Sequence, residues 1–246
     1  MKFIRNIINP QEQEDEEFYD ALKKLLGFRP KNIFYYKTAF IHRSIKVLDE
    51  NGNPINYERM EFLGDAMLGS IIAAFLFKMV PDGDEGYLTQ MRSKIVSRNQ
   101  LNSLGKELNL LRFVKSTISK NRMGQNIYGN IFEALIGAIY LDRGYKYCER
   151  FIDKRVISAF VDIPSLENKI TSYKGIVIEW CQKTKKKLEF VSYEDSGNEN
   201  IRHYSVKLMI DDKVVSKGRA TSKKKAEEIA AKRIYFVYQE EIKNML

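Results

Sequence analysis

One segment restricts the possible folds of this chain more than any other: residues 58–80, ERMEFLGDAMLGSIIAAFLFKMV. Its longest apolar stretch, residues 67–80, is too short to span a bilayer and contains Lys78. A helix this apolar has to be covered by other elements over most of its surface. The segment therefore predicts a buried, central helix and favours a protein without a membrane span.

Three carboxylates open this helix. Glu58, Glu61 and Asp65 lie three and then four residues apart, a spacing that places them on one face. A carboxylate at the edge of a buried helix is costly unless a cation or a hydrogen-bond donor compensates it. Oxygen ligands of this kind suit Mg²⁺. The alternative is a set of solvated first-turn acids favoured by the helix dipole.

A second polar patch opens another apolar helix, predicted over Tyr128–Gly144. Asn130 and Glu133 are three residues apart and share a face of this helix. If the two helices pack side by side, they bring four oxygen-bearing side chains together: Glu61, Asp65, Asn130 and Glu133. The pattern predicts a magnesium site, with the same alternative of solvated acids.

A change in the hydrophobic pattern near Pro164 predicts two domains, 1–163 and 164–246. The first is mostly helical and includes a helix predicted over Thr89–Leu108 with Thr89 as its N-cap. Pro164 is expected to break helix. After it come a helix, three short strands and a final helix with Ser222 as its N-cap, which is an α-β-β-β-α order.

Composition narrows the class of protein. The formal net charge of +9 indicates a polyanionic partner such as nucleic acid, although many cytosolic proteins are as basic. Cys148 and Cys181 are the only cysteines and make neither a disulfide framework nor a zinc site. The N-terminus lacks the apolar core of a signal peptide. We expect a soluble cytoplasmic protein without an organic cofactor.

The motif strings YERMEFLGDAML and NIFEALIGAIYLD closely resemble the two core motifs of the bacterial ribonuclease III family. Residues 26–44, 84–101 and 165–246 also resemble that family, in the same order. The resemblance implies an all-α endonuclease domain, a small α+β double-stranded-RNA-binding domain and a homodimer with its active centres in one valley. It implies Mg²⁺-dependent hydrolysis, with Mn²⁺ possible, and staggered cuts that leave 5′-phosphate and 3′-hydroxyl ends in rRNA and mRNA processing.

The resemblance also assigns roles to residues of the first domain. Asp65 and Glu133 correspond to the catalytic pair, and the metal ligands correspond to Glu61, Asp65, Asn130 and Glu133. Glu58 and Glu85 correspond to supporting acids, of which Glu85 would shape the site across the dimer. The stretch from Phe62 to Gly64 would pack at the dimer interface.

Asn130 departs from the family pattern, which usually has aspartate there. An amide oxygen can bind a metal but carries no charge, so the site should bind Mg²⁺ more weakly. We favour a tolerated ligand variant, because the other acids remain. The substitution could also slow the enzyme and raise its metal requirement, or mark a catalytically silent protein that binds duplex RNA.

In the second domain the resemblance assigns the RNA-binding residues, which are Glu179, Asn198, Asn200, Lys223, Lys224 and Lys225. The lysines open the final helix, where ammonium groups and the helix dipole both favour phosphate. Asn198 and Asn200 replace the Pro and His of the Gly-Pro-x-His loop that the family often carries. Such a domain reads the shape and 2′-hydroxyls of duplex RNA rather than its sequence.

Overall fold

The computed structural model of the chain describes residues 10–167, 170, 172–193 and 203–245, with side chains from residue 13 onward. The chain forms two compact units, Met1–Asn168 and Lys169–Leu246. The first is helical and the second combines helices with a three-stranded sheet. This is the predicted fold class.

The first unit contains nine helices in its described residues. They are α1 (Pro10–Leu26), α2 (Ile33–Ala39), α3 (Glu58–Met79), α4 (Glu85–Ile95), α5 (Arg98–Glu107), α6 (Ile127–Arg143), α7 (Tyr145–Ile152), α8 (Ser158–Phe160) and α9 (Ile163–Glu167). Short 3₁₀ turns at Leu110–Arg112 and Lys120–Arg122 precede α6, and a π-helical turn at Asp153–Ile157 follows α7.

The centre of this unit is formed by α3 and α6, as the sequence predicts. Every residue of α6 from Ile131 to Ile139 is buried. The helix ends at Gly144, whose φ of 76° is a left-handed conformation that glycine adopts without strain. By length and composition α3 could cross a membrane, but core helices of soluble proteins meet the same criterion. Leu68, Ile72 and Leu76 of α3 are fully buried in the core.

Three details of the predicted helices are wrong. The segment Thr89–Leu108 forms two helices, because the chain becomes extended at Ser97 and starts α5 in a new direction. The N-cap of α4 is Asp84, whose carboxylate accepts the Tyr87 amide hydrogen at 2.7 Å, and not Thr89. Pro164 does not break a helix but lies in the first turn of α9, where amide groups have no intrahelical acceptor.

The second unit has the predicted α-β-β-β-α order with one short helix added. Its elements are α10 (Tyr173–Lys183), β1 (Leu188–Tyr193), β2 (Tyr204–Ile210), β3 (Lys213–Ala220), α11 (Lys223–Val237) and α12 (Gln239–Lys243). The sheet is antiparallel in the order β1-β2-β3, and Asp211 and Asp212 make the tight turn with positive φ at both positions. Trp180, Leu208 and Ala230 are fully buried between the helices and the sheet.

Candidate metal centre and RNA-binding surface

Two glycines bring the acid-bearing ends of α3 and α6 together. A Cβ atom on Gly64 would lie 1.7 Å from the carbonyl oxygen of Glu133, and one on Gly137 would lie 2.3 Å from that of Met60. The two backbones therefore touch, with no side chain between them. Because the contact point on α6 is Glu133 itself, it places Glu133 beside the turn of α3 that carries Glu61 and Asp65.

The carboxylates near this contact differ in their exposure. Glu133 is only 5% exposed, Glu61 is half-buried and Asp65 is exposed. Burial, together with the nearby charges of Asp65 and Glu61, raises the pKa of Glu133 to about 7. Burial is also the largest cause of the raised pKa of Glu61. The two helices thus form one acidic cluster whose inner members resist ionisation.

Arg98, which the sequence did not single out, is the cation of this cluster. It is the first residue of α5, and its Nη1 donates to the amide oxygen of Asn130 at 2.9 Å. The same nitrogen lies 3.9 Å from Glu133 Oε2. The Asn130 side chain also lies near the hydroxyl of the buried Tyr57. A helix boundary at Ser97 would have identified Arg98 as the first residue of a helix. The single helix predicted over Thr89–Leu108 placed Arg98 in the middle of that helix instead.

The chemistry of the cluster fits a divalent cation. Its donors are all oxygens, as Mg²⁺ prefers. The pKa of Glu133 stays raised although Arg98 is near, so the charges of the chain itself do not fully compensate the buried carboxylate. In the part of the chain that the structure describes, no three or more Asp, Glu, His or Cys side chains converge as a ready-made metal site. The side chains would therefore have to turn when a cation binds.

Of the two supporting acids, Glu58 borders this cluster, where its charge acts on Glu61, and Glu85 lies outside it. Glu58 accepts a hydrogen bond from Arg43 at 3.3 Å at the start of α3. Glu85 accepts one from the Thr89 hydroxyl at 3.0 Å and lines a cavity beside Ala73 and Phe77, in the distal half of α3. Phe77 lies about 18 Å beyond Asp65 along the helix axis. A single chain therefore does not bring Glu85 to the acidic cluster.

Four of the expected RNA-binding residues lie on the helices of the second unit. Lys223, Lys224 and Lys225 are exposed at the N-terminus of α11, whose N-cap Ser222 accepts the amide hydrogen of Lys225 at 3.3 Å. Glu179 of α10 is half-buried and pairs with Lys183 at 3.2 Å. Asn198 and Asn200 lie outside the described residues.

Carboxylates of α11 hold the start of α10. Glu228 accepts hydrogen bonds from the Ser172 hydroxyl at 3.1 Å and from the Tyr173 amide at 2.5 Å. Its neighbour Glu227 pairs with the Lys174 ammonium at 2.6 Å. These bonds fix the helix that carries Glu179 against the helix that begins with the three lysines.

Comparison with known proteins gives consistent matches over both units. Residues 32–160 match the family model described as Ribonuclease-III-like, and residues 173–236 match the double-stranded RNA binding motif. The chain is 62% identical to a ribonuclease 3 from Zunongwangia profunda, over 97% of this chain and 98% of that one. It is 58% identical to a ribonuclease 3 from Flavobacterium psychrophilum, over 98% and 99%.

A solved structure agrees with the helical unit. The nuclease domain of a ribonuclease III from Campylobacter jejuni, described for flexibility in the region involved in dimer formation, is 26% identical with a TM-score of 0.51. The match covers 57% of this chain and 97% of that domain.

Proposed function

This chain belongs to the ribonuclease III family, whose members are endoribonucleases of double-stranded RNA, and from that premise we propose that it is a Mg²⁺-dependent enzyme acting as a homodimer. Mn²⁺ would substitute for Mg²⁺. The enzyme would make staggered cuts that leave 5′-phosphate and 3′-hydroxyl ends, in rRNA and mRNA processing in the cytoplasm. The observation that carries this proposal is the glycine contact that joins two acid-bearing helices in one oxygen-rich cluster.

The side chains that would hold the metal are Glu61, Asp65, Asn130 and Glu133. When bound, Mg²⁺ supplies a water of lowered pKa and positive charge for the scissile phosphate. We assign Asp65 and Glu133 as the catalytic pair. Asp65 is exposed and therefore open to a substrate, whereas Glu133 is buried and fixed by the backbone contact with α3. In such a pair, Asp65 can reach the substrate while Glu133 keeps a fixed position.

An exposed apolar face on α3 supports the homodimer. Phe62 is 81% exposed and Phe77 is 73% exposed, and the exposed Ala66 and Ser70 lie between them on similar helical angles. An exposed apolar face of this kind marks an interaction surface. Antiparallel pairing of two such helices would bring Glu85, beside Phe77, toward the acidic cluster of the other subunit. Glu58 and Glu85 would then support the site, as the family resemblance implies.

The second unit would deliver duplex RNA to this site. Lys223, Lys224 and Lys225 would bind phosphates, and Glu179, Asn198 and Asn200 would contact minor grooves. Phosphate contacts of this type position a duplex without reading its sequence. The choice of RNA would then follow from duplex shape and length.

The test is cleavage of a long RNA duplex by the purified chain during titration with Mg²⁺. We expect no cleavage without the metal, short staggered products with it, and loss of cleavage in Glu133→Gln. Mapping of the product ends tests the 5′-phosphate and 3′-hydroxyl assignment. Tight duplex binding without cleavage at any Mg²⁺ concentration would instead support a silent duplex-RNA-binding protein, the more so if Asn130→Asp restored cleavage.

The dimer has a separate test. Sedimentation equilibrium should give twice the chain mass of 28.7 kDa. Phe62→Gln should shift the equilibrium toward the monomer, because it removes apolar surface from the proposed interface. Phe236→Gln is the matched control, since Phe236 is 55% exposed on α11 of the other unit. A wild-type chain that stays monomeric at high concentration would contradict the homodimer.

A further inference from the structure

The position of Arg98 is unusual for a surface arginine. Its side chain is 59% exposed, yet its guanidinium lies against the acidic cluster. It donates to the Asn130 amide oxygen, stands 3.9 Å from Glu133, and its charge acts on Glu61. These are three of the four side chains that would hold the metal. A positive charge of the protein therefore occupies the region that a divalent cation requires.

The contact with Asn130 is a direct competition for one atom. An amide has a single oxygen acceptor, and the Arg98 guanidinium uses that oxygen at 2.9 Å. A metal that takes Asn130 as a ligand has to share this oxygen or replace the guanidinium. Repulsion between the two cations at this distance favours replacement.

We propose that Arg98 is a positioning residue that serves as an internal counter-cation: it holds Asn130 and Glu133 in the metal-free protein, and the divalent cation displaces it from the Asn130 oxygen on binding. This inference rests on the metal site of the proposed function. Its exposed side chain gives Arg98 room to swing into solvent, so the displacement needs no change in the backbone.

The same contact gives a physical reason for the amide at position 130. An aspartate there would form an ion pair with Arg98 in which both partners are charged, and such a pair is stronger than the present bond from the guanidinium to a neutral amide. The guanidinium would then be harder to displace. The neutral Asn130 lowers the attraction for the metal, but it also weakens the hold of Arg98 on the site. The effect of residue 130 on metal binding therefore depends on Arg98.

The test measures the binding of Mn²⁺ to the RNA-free chain. The electron paramagnetic resonance signal of the unbound ion reports how much Mn²⁺ remains free. Arg98→Gln removes the charge and keeps a side chain that can donate to Asn130. We expect this variant to bind Mn²⁺ about threefold to tenfold more tightly than wild type. Arg150→Gln on α7 makes the same change of charge beside the distal half of α3, and its affinity should match wild type.

A second readout separates this role from simple stabilisation of the fold. Arg98→Gln should lower the unfolding temperature in chelator but leave it at the wild-type value in saturating Mn²⁺. A merely structural role would lower both values equally. In the Asn130→Asp background the gain in Mn²⁺ affinity from Arg98→Gln should be larger, because the charged pair competes more strongly.

The outcomes also separate this inference from the proposed function. Unchanged or weaker Mn²⁺ binding by Arg98→Gln, in a wild-type chain that cleaves duplex RNA with Mg²⁺, would overturn the counter-cation and leave the enzyme intact. Absence of both Mn²⁺ binding and cleavage in the wild type would overturn the proposed function and the inference with it.

Discussion

At the scale of single residues, Gly64 fixes the geometry of the acidic cluster. Its missing side chain lets the backbone of α3 touch the Glu133 carbonyl, so any Cβ would force the two helices apart. The family resemblance led us to expect Gly64 at the dimer interface, but it is buried inside the chain against α6. Its neighbour Phe62, by contrast, does point to solvent.

We therefore predict that Gly64→Ala destabilises the protein by about 2 kcal/mol or more, because overpacking in a rigid core costs that much. Gly69→Ala on the same helix is the control, since a Cβ there meets no atom within 4 Å. It should be neutral or stabilising by up to about 1 kcal/mol through better helix propensity. Urea unfolding of the two variants tests this, and equal effects would contradict the close contact.

Glu133 gives the protein a stability that depends on pH. Its carboxyl has a pKa of about 7 in the folded chain against an ordinary 4.5. Between these values the folded state binds more protons than the unfolded state, so the free energy of unfolding falls as pH rises. The contribution is present below pH 4.5 and is lost as pH rises through 7.

In chelator, this effect predicts a loss of up to about 3 kcal/mol between pH 4.5 and pH 7.5. Glu133→Gln removes the titrating group, so its stability should fall less over the same interval and exceed that of wild type at pH 7.5. Urea unfolding at four pH values in this range measures the difference between the two proteins, which cancels the titration of other groups. Parallel curves would show that burial does not raise this pKa.

At the scale of elements, the break between α4 and α5 shapes the site. A single helix over Thr89–Leu108 satisfies the apolar spacing, but it does not account for the close packing at Gly105. A Cβ on Gly105 would lie 2.3 Å from the Tyr128 carbonyl, so α5 packs directly on α6. The turn at Ser97 allows that packing and places Arg98 at the start of α5, next to Asn130.

The caps of α4 give a direct test of this corrected boundary. Asp84→Ala should cost about 1 kcal/mol, because its carboxylate accepts the Tyr87 amide hydrogen at 2.7 Å. Thr89→Ala should change stability by less than about 0.5 kcal/mol, since Thr89 is an exposed residue within the helix. Chemical denaturation of both variants decides the point. A larger loss for Thr89→Ala would restore the boundary predicted from sequence.

Local patterns account for the elements that the sequence predicted correctly. A few neighbouring residues are enough to predict the apolar helices α3 and α6, the alternating strand β2 and the N-cap Ser222. Spacing also predicted that Asp65 and Glu133 each lie on the polar face of an apolar helix, but one shared site required the assumption that the two helices pack side by side. The role of Arg98 depends on a turn and on a contact with residue 130, which no local pattern encodes. The supporting role of Glu85 depends on the proposed second subunit.

At the scale of the whole molecule, the two units carry different parts of the proposed activity. The first holds the acidic cluster, and the second presents lysines at the start of α11. Binding to duplex RNA should therefore depend on salt through the second unit, while the metal requirement should depend on the first. Variants in one unit should leave the property of the other unchanged.

The double variant Lys223→Gln and Lys224→Gln tests this division of labour. Each phosphate contact releases counterions, so we expect weaker duplex binding and a slope of log affinity against log salt that is smaller by about 2. The Mn²⁺ affinity of the RNA-free chain should not change, because the acidic cluster is intact. Lys213→Gln with Lys243→Gln is the control: both lysines are exposed, and the net charge of the chain falls by the same amount. If the control reduced the slope as much as the test variant, binding would follow the overall charge of +9 and not the start of α11.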